Sequence, residues 1–271
     1  MPISTTELPQ TLPDSRIVGA DERVPLKLAL VIPTLCEAGN IGPLLDQVRA
    51  VLDPVQTDYE IIVVDDDSND GTGDVVSAIA QDDPRVRLIV RKGERGLSGA
   101  VLDGWRHTDA DVLGVMDADL QHPPELLPQL FAAIGEGRDL AIGSRYTPGG
   151  ELGEWNPLRK LLSAAAVWAT WPLQRRRVRA KDPMSGYFMV RRASVQHLDF
   201  QRTGFKLLLE ILVRARLGSM KEVPFAFGRR FRGASKANFK VAWDYGWLLA
   251  RLYAGKYGFN RSNAFGVGLE H

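Results

Sequence analysis

Two carboxylates stand one residue apart in Asp117-Ala118-Asp119-Leu120-Gln121, directly after the mostly apolar run Val112-Leu113-Gly114-Val115-Met116. That run reads as a buried strand, so the acids fall at its carboxyl end, where an open α/β sheet places its ligand crevice. Carboxylate oxygens and the amide oxygen of Gln121 are hard ligands, suited to Mg²⁺ or Mn²⁺ that also bridges a substrate diphosphate. Taken alone, Asp-x-Asp is more often a turn whose acids cap the next helix. A second cluster changes that balance. Asp65-Asp66-Asp67-Ser68-Asn69-Asp70-Gly71 follows the β-rich run Tyr59-Glu60-Ile61-Ile62-Val63-Val64, and Leu28-Ala29-Leu30-Val31-Ile32 runs into Pro33-Thr34-Leu35-Cys36-Glu37. Three strand ends carrying polar or acidic residues predict one acidic, metal-ready crevice.

The elements that must position these residues follow from periodicity and punctuation. Strands are expected at 27–32, 60–65, 86–90, 112–116 and 139–143, near 185–190, and at 221–227. Helical patterns are expected from the first loop through Val51, over Asp74 to Ala80, over Ser98 to Trp105, and over 124–136, where Pro124 occupies the first turn at no cost in donors. Alternation of strand and helix predicts a doubly wound, mostly parallel α/β sheet. Beyond residue 147 the pattern changes. Leu158 to Leu173 is apolar with Trp168 and Trp171, and is flanked by Arg159-Lys160 and by Arg175-Arg176-Arg177-Val178-Arg179. It is too short to span a bilayer and fits an interfacial segment over 158–179, with a core helix as the competing reading. A helix over 204–217 and an amphipathic one over roughly 237–255 complete the chain.

The chain resembles GT-A-fold, inverting family-two glycosyltransferases, most closely the dolichyl-phosphate (polyprenyl-phosphate) mannosyltransferases. The resemblance rests on Val31-Ile32-Pro33-Thr34, Val63 to Ser68, Arg91 to Ser98, Met116 to Glu125, Gly143-Ser144-Arg145-Tyr146, Lys181 to Gly186 and Val223 to Lys236. It implies a nucleotide-sugar pocket lined by Pro33, Leu35, Glu37, Val64 and Asp66, completed by Asp117, Ala118, Asp119, Arg230 and Lys236. It implies Asp119 and Gln121 as metal ligands for Mg²⁺ or Mn²⁺, and Arg145, Arg159 and Ser163 as the seat of the acceptor phosphate. Asp117, Asp119, Arg145 and Arg230 then carry the catalytic role. The implied reaction moves mannose from GDP-mannose to polyprenyl (dolichyl) phosphate. The family usually shows Tyr-Asn where this chain has Leu35-Cys36, which removes an aromatic face for the base and keeps UDP-glucose or UDP-N-acetylglucosamine open as donors. A non-catalytic, nucleotide-binding partner subunit is the reading from another class. A nucleotidyltransferase would want a Gly-rich phosphate loop near the first strand, and none is present there.

No general base stands out, and only four His occur in 271 residues. A sugar-hydroxyl acceptor needs deprotonation, whereas a phosphomonoester, with its second pKa near ~6, is already anionic. A net charge of +1 gives no argument for a nucleic-acid partner, and the single Cys36 allows no internal disulfide. The expected organisation is a loose tail over 1–25, a glycosyltransferase domain over 26–236, a C-terminal amphipathic helix over 237–268 and an expression-tag remnant at 269–271. With no signal-peptide pattern and no spanning run, the expected location is cytoplasmic, peripheral at the cytoplasmic membrane face, as a possible homodimer or with a membrane-anchor subunit.

Overall fold

The computed structural model describes residues 25–55, 57–151, 157–200, 206–226, 228 and 239–256, with 157–163, 239–245 and 256 described by backbone alone. Seven strands form one sheet in the order β3-β2-β1-β4-β6-β5-β7. They are Leu28–Thr34 (β1), Tyr59–Asp65 (β2), Val86–Val90 (β3), Val112–Val115 (β4), Leu140–Ser144 (β5), Phe188–Arg191 (β6) and Met220–Pro224 (β7). β6 lies antiparallel to β4 and β5, while β1 pairs in parallel with β2 and β4, β2 with β3, and β5 with β7. The expected doubly wound, mostly parallel sheet is therefore present, with one reversed strand.

Alternation along the strands sorts their side chains onto two cores. Leu28, Leu30 and Ile32 of β1 and Ile61 and Val63 of β2 face one side. There they meet Ala38–Leu52 (α1), Thr72–Asp82 (α2) and Leu127–Gly135 (α4), whose apolar residues recur at helical spacing: Ile41, Leu44, Leu45, Val48 and Leu52 on α1, for example. Ala29, Val31, Ile62 and Val64 face the other side, covered by Leu97–Arg106 (α3), the single turn Arg192–Val195 (α6) and Leu207–Arg214 (α7). Both faces are thus closed, which is why β2 is buried at every position.

Sequence periodicity misplaced some ends. The element expected over 124–136 opens as a 3₁₀ turn, Pro124–Leu126, before α4 begins. The helix expected over 204–217 is shorter, since Leu207 to Leu212 is buried on all sides and gives no periodic edge to count from. The apolar segment expected from Leu158 forms Pro157–Thr170 (α5). Its end meets α7 and Phe239–Lys256 (α8) in a small third cluster around Leu173, Leu209 and Leu252, where the Tyr253 hydroxyl donates to the Ala169 carbonyl at 2.7 Å. Among the described residues no helix is long and apolar enough to cross a membrane.

Helix α3 crosses the sheet closely at Gly104. A Cβ there would come within 2.7 and 2.8 Å of the two Val31 methyls and 3.2 Å of Val64. Both valines are β-branched and fixed in the ladder, so they have little freedom to move aside. We expect Gly104→Ala to destabilise the protein by about 1–3 kcal/mol through overpacking, measured by urea unfolding. An unchanged midpoint would show that α3 can lift off the strands.

Candidate active site

Three loops leave the carboxyl ends of β1, β2 and β4, and each contains a non-glycine residue in left-handed backbone conformation: Cys36 (φ 58°), Asp67 (φ 57°) and Leu120 (φ 60°). These are the three such residues among those described. Each conformation costs roughly 1–2 kcal/mol, so the surrounding hydrogen bonds must hold it. Asp65 supplies much of that hold. Its Oδ1 accepts from the hydroxyls of Thr34 (2.8 Å) and Ser68 (2.6 Å), and its Oδ2 accepts from the Ser68 N–H at 2.9 Å. The Ser68 hydroxyl oxygen in turn accepts from the Cys36 N–H at 2.7 Å. Asp70 repeats the arrangement one turn later, taking the Ala38 N–H at 3.1 Å and the Thr72 hydroxyl at 2.6 Å. The acidic run therefore divides its labour, with Asp65 and Asp70 strapping two loops together and Asp67 exposed.

Asp66 turns inward. Its Oδ2 accepts from the Gly96 N–H at 2.7 Å and its Oδ1 lies 3.2 Å from an Arg91 Nη1. Arg91 also pairs through Nε with Asp103 at 3.1 Å and donates to the Gly96 carbonyl at 3.2 Å. Burial pushes the Asp66 carboxyl up, against the pull of the Gly96 N–H and Arg91. Pro33, near the end of β1, and Leu35 and Glu37 in the loop after it stand half-buried, with the Glu37 Oε2 accepting from Asn40 at 2.7 Å. Val64 differs from these. Its side chain is wholly in the core beneath α3, so it supports the pocket from below.

At the end of β4 the Asp117 N–H donates to His122 Nδ1 at 3.3 Å, which places the ring's own proton on Nε2. His122 is buried, stacked on Tyr187 (5.0 Å between centroids) and edge-on to Phe225 (5.6 Å). The Asp117 carboxylate lies over Gly186, where a Cβ would come within 3.0 Å of Oδ2. Its Oδ1 is enclosed, with no hydrogen-bond partner among the described residues. Desolvation pushes the Asp117 carboxyl up and the His122 ring down. Ala118 packs into the core. Asp119 Oδ1 accepts from the Gln121 N–H at 3.2 Å. Gln121 is fixed from both ends, its Nε2 donating to the Gly228 carbonyl at 2.9 Å and its own carbonyl accepting the Gly228 N–H at 3.0 Å.

Arg145 follows β5 and is held by Asp182, which is fully buried. Nε and Nη2 donate to the two carboxylate oxygens at 2.8 and 2.9 Å, and the Arg145 backbone N–H adds a third contact at 3.1 Å. Asp182 is aimed in turn by Glu222, whose carboxylate accepts the N–H groups of Lys181 and Asp182 at 3.1 Å. Arg159 and Ser163 lie in α5 with their side chains outside the described residues, and Arg230 and Lys236 lie outside them altogether.

Sequence reasoning gave no role to His122, Asp182 or Lys206. Lys206 caps α7 and comes within electrostatic reach of Arg145, Asp117 and Asp182. The visible signal was a lysine placed directly against the apolar run Leu207-Leu208-Leu209.

With this geometry in view, comparison with known proteins decides the family. The glycosyl transferase family 2 model matches residues 29–199. The chain belongs to glycosyl transferase family 2. It is 41% identical over 220 residues to the dolichol-phosphate mannosyltransferase of Pyrococcus furiosus, covering 81% of this chain and 62% of that protein. It is 38% identical over 245 residues to the dolichol-phosphate mannosyltransferase of Saccharomyces cerevisiae, covering 87% of this chain and 90% of that one. Among solved structures, glucosyl-3-phosphoglycerate synthase from Mycobacterium tuberculosis, in complex with Mn²⁺, UDP-glucose and phosphoglyceric acid, superposes with a TM-score of 0.62 at 20% identity, covering 90% of this chain and 83% of that one. That likeness is one of fold, and the expected GT-A architecture holds. This family 2 chain is a glycosyltransferase.

The Arg145–Asp182 pair makes a direct prediction. Removing one partner of a buried ion pair leaves the other uncompensated, at a cost of about 3–5 kcal/mol. Asp182→Asn should therefore lower urea-unfolding stability by that amount, since the amide cannot accept both arginine contacts. A loss below about 1 kcal/mol would mean that water already solvates the pair.

Proposed function

We propose that this glycosyltransferase moves mannose from GDP-mannose to a polyprenyl phosphate, inverting the anomeric centre by in-line attack. The observation that carries this reading is the identity, at 38–41%, to two proteins named dolichol-phosphate mannosyltransferases. The chain spans 62% of the Pyrococcus protein, and the proposal concerns the portion shared. The charge layout also favours it. A phosphomonoester nucleophile needs a seat rather than a base, and in the described crevice the ring of His122 is buried and held neutral.

In this reading the strapped loops after β1 and β2 receive the nucleotide, with Pro33, Leu35 and Glu37 on one wall and Asp66 on the other. Asp119 and Gln121 would hold Mg²⁺ or Mn²⁺. The residues fit such an ion: the donors are hard oxygens, and Gln121 spends its N–H₂ on Gly228, which leaves the amide oxygen as its remaining donor. Among the described residues no group of three His, Cys, Asp or Glu could hold a metal alone. Such an ion supplies Lewis-acid neutralisation of the leaving diphosphate. Asp117 is held against the His122 ring and Gly186, fixing the Asp-x-Asp turn. Arg145, aimed by Asp182, and Arg159 and Ser163 on α5 form the acceptor side, with Arg230 and Lys236 assigned to the donor. A UDP-sugar donor remains the competing assignment, favoured by the Leu35-Cys36 departure. Thermal melts with GDP-mannose and UDP-glucose in Mn²⁺ separate the two, the larger rise naming the donor.

Asp119→Asn should preserve the fold while transfer falls by roughly two to three orders of magnitude, the scale of about 3–4 kcal/mol of lost electrostatic stabilisation. Full activity of this variant with Mg²⁺ or Mn²⁺ would remove Asp119 from the metal site.

The acceptor's lipid suggests a peripheral membrane surface at α5 and the arginines after it. Trp168 and Trp171 are 69% and 42% exposed and stacked at 5.7 Å, and Arg179 lies 5.3 Å over the Trp171 ring. Arg175, Arg176 and Arg177 are exposed beside them. Each cation near an anionic surface contributes about 1 kcal/mol, weakened by salt. Flotation with anionic vesicles should recover the protein at low salt and less at high salt, and Trp168→Ser with Trp171→Ser should abolish recovery. Equal recovery of that double variant would move the contact elsewhere.

A further inference from the structure

Arg145 is linked to the edge strand of the sheet by a chain of two carboxylates. Glu222 is the third residue of β7 and stands in parallel register with Ile142, two places before Ser144 ends β5. Its half-buried side chain accepts the Lys181 N–H on both oxygens and the Asp182 N–H on Oε1, each at 3.1 Å. Asp182 passes that placement on. It receives Nε, Nη2 and the backbone N–H of Arg145 at 2.8, 2.9 and 3.1 Å.

We propose that Glu222 is a positioning residue for the acceptor phosphate, setting through Asp182 where the Arg145 fork stands. The inference rests on the functional reading above, in which Arg145 seats that phosphate, and adds to it a residue that touches neither substrate. Three observations carry it. First, the link is continuous, and at every step the acceptor is a carboxylate, which makes the stronger class of hydrogen bond. Second, Asp182 orients the guanidinium only as well as its own backbone is held. Ser185 ties the far end of that turn to β5, its hydroxyl donating to the Gly143 carbonyl at 2.7 Å. Glu222 ties the near end. Third, β7 also carries the loop that follows Arg145. The Phe225 N–H donates to the Ser144 carbonyl at 3.2 Å, and the Glu151 N–H donates to the Phe225 carbonyl at 3.1 Å. Glu222 therefore acts from a strand against which both ends of that loop are already fixed. A long arginine side chain held in this way loses less freedom when an anion docks on it, so the hold should appear as acceptor affinity.

The experiment compares the full chain with Glu222→Gln and Glu222→Met in kinetics that vary a short-chain prenyl phosphate and the nucleotide sugar in turn. Glu222→Gln is nearly isosteric, removes the charge and leaves one acceptor oxygen for two N–H groups. Its acceptor KM should rise at least about threefold, with donor KM within about twofold. Glu222→Met, which offers no oxygen, should raise acceptor KM at least about tenfold. A cycle with Arg145→Lys separates positioning from general loosening. Lysine has no fork for Asp182 to orient, so Glu222→Gln should add little to the acceptor KM of the Arg145→Lys variant. An unchanged acceptor KM in Glu222→Gln overturns the inference. So does an equal rise in both KM values, which loosening of the whole site would give, or full additivity in the cycle. Should Glu222→Met fail to fold, Glu222→Gln and the cycle decide alone. A parent that transfers no sugar to prenyl phosphate overturns the functional reading itself, whatever the variants do.

Discussion

A sheet covered by helices on both faces leaves its charged residues one kind of place to emerge, the edges where its strands end. Burying an ionised carboxylate within the ladder is costly unless partners compensate it, as Arg87 and the Thr108 hydroxyl do for Glu60 near the start of β2. The acids after β1, β2 and β4 are therefore confined to the carboxyl edge, and the parallel pairing of those three strands brings them to the same edge. Everything else in the site depends on that confinement. The left-handed residues Cys36, Asp67 and Leu120 mark where the chain must turn sharply on leaving the ladder. The Asp65 and Asp70 straps hold two of those turns in place.

Confining charge also raises the problem of keeping it apart. The site resolves this by pairing most charges with a specific partner. Asp66 meets Arg91 and Gly96, and Arg145 meets Asp182. His122 is kept neutral by burial and serves the turn as an acceptor for the Asp117 N–H. What is left over among the described residues is an enclosed oxygen of Asp117 without a hydrogen-bond partner. Groups left in this state inside a crevice cost stability unless a ligand completes them.

The sheet itself was legible in the sequence because buried parallel strands are continuous apolar runs that end abruptly in polar residues. Runs such as Leu28 to Ile32 and Tyr59 to Val64 gave strand positions within a residue or two. The reversal of β6 was not legible, since Phe188 to Arg191 carries no mark of direction and its pairing is decided by β4 and β5 together. At the candidate site, spacing singled out Asp117, Asp119 and Asp66, which the fold places at the carboxyl edge of the sheet. It did not expose Asp182, which acts from 37 residues away on Arg145, or the division of labour within Asp65-Asp66-Asp67. Val64 was counted as a pocket residue, but alternation on β2 sends its side chain to the core. Lys206 escaped because one lysine before an apolar helix looks solvated until its neighbours in space are known.

The central claim is that one crevice, formed by the loops after β1, β2 and β4, receives the nucleotide sugar. Hydrogen–deuterium exchange with and without GDP-mannose and Mn²⁺ tests it most directly, because protection is read loop by loop. Exchange should slow across residues 34–38, 66–72, 91–96 and 117–121, with the opposite edge of the sheet unchanged. Protection absent from these loops, or concentrated at the amino-terminal ends of the strands, would contradict it.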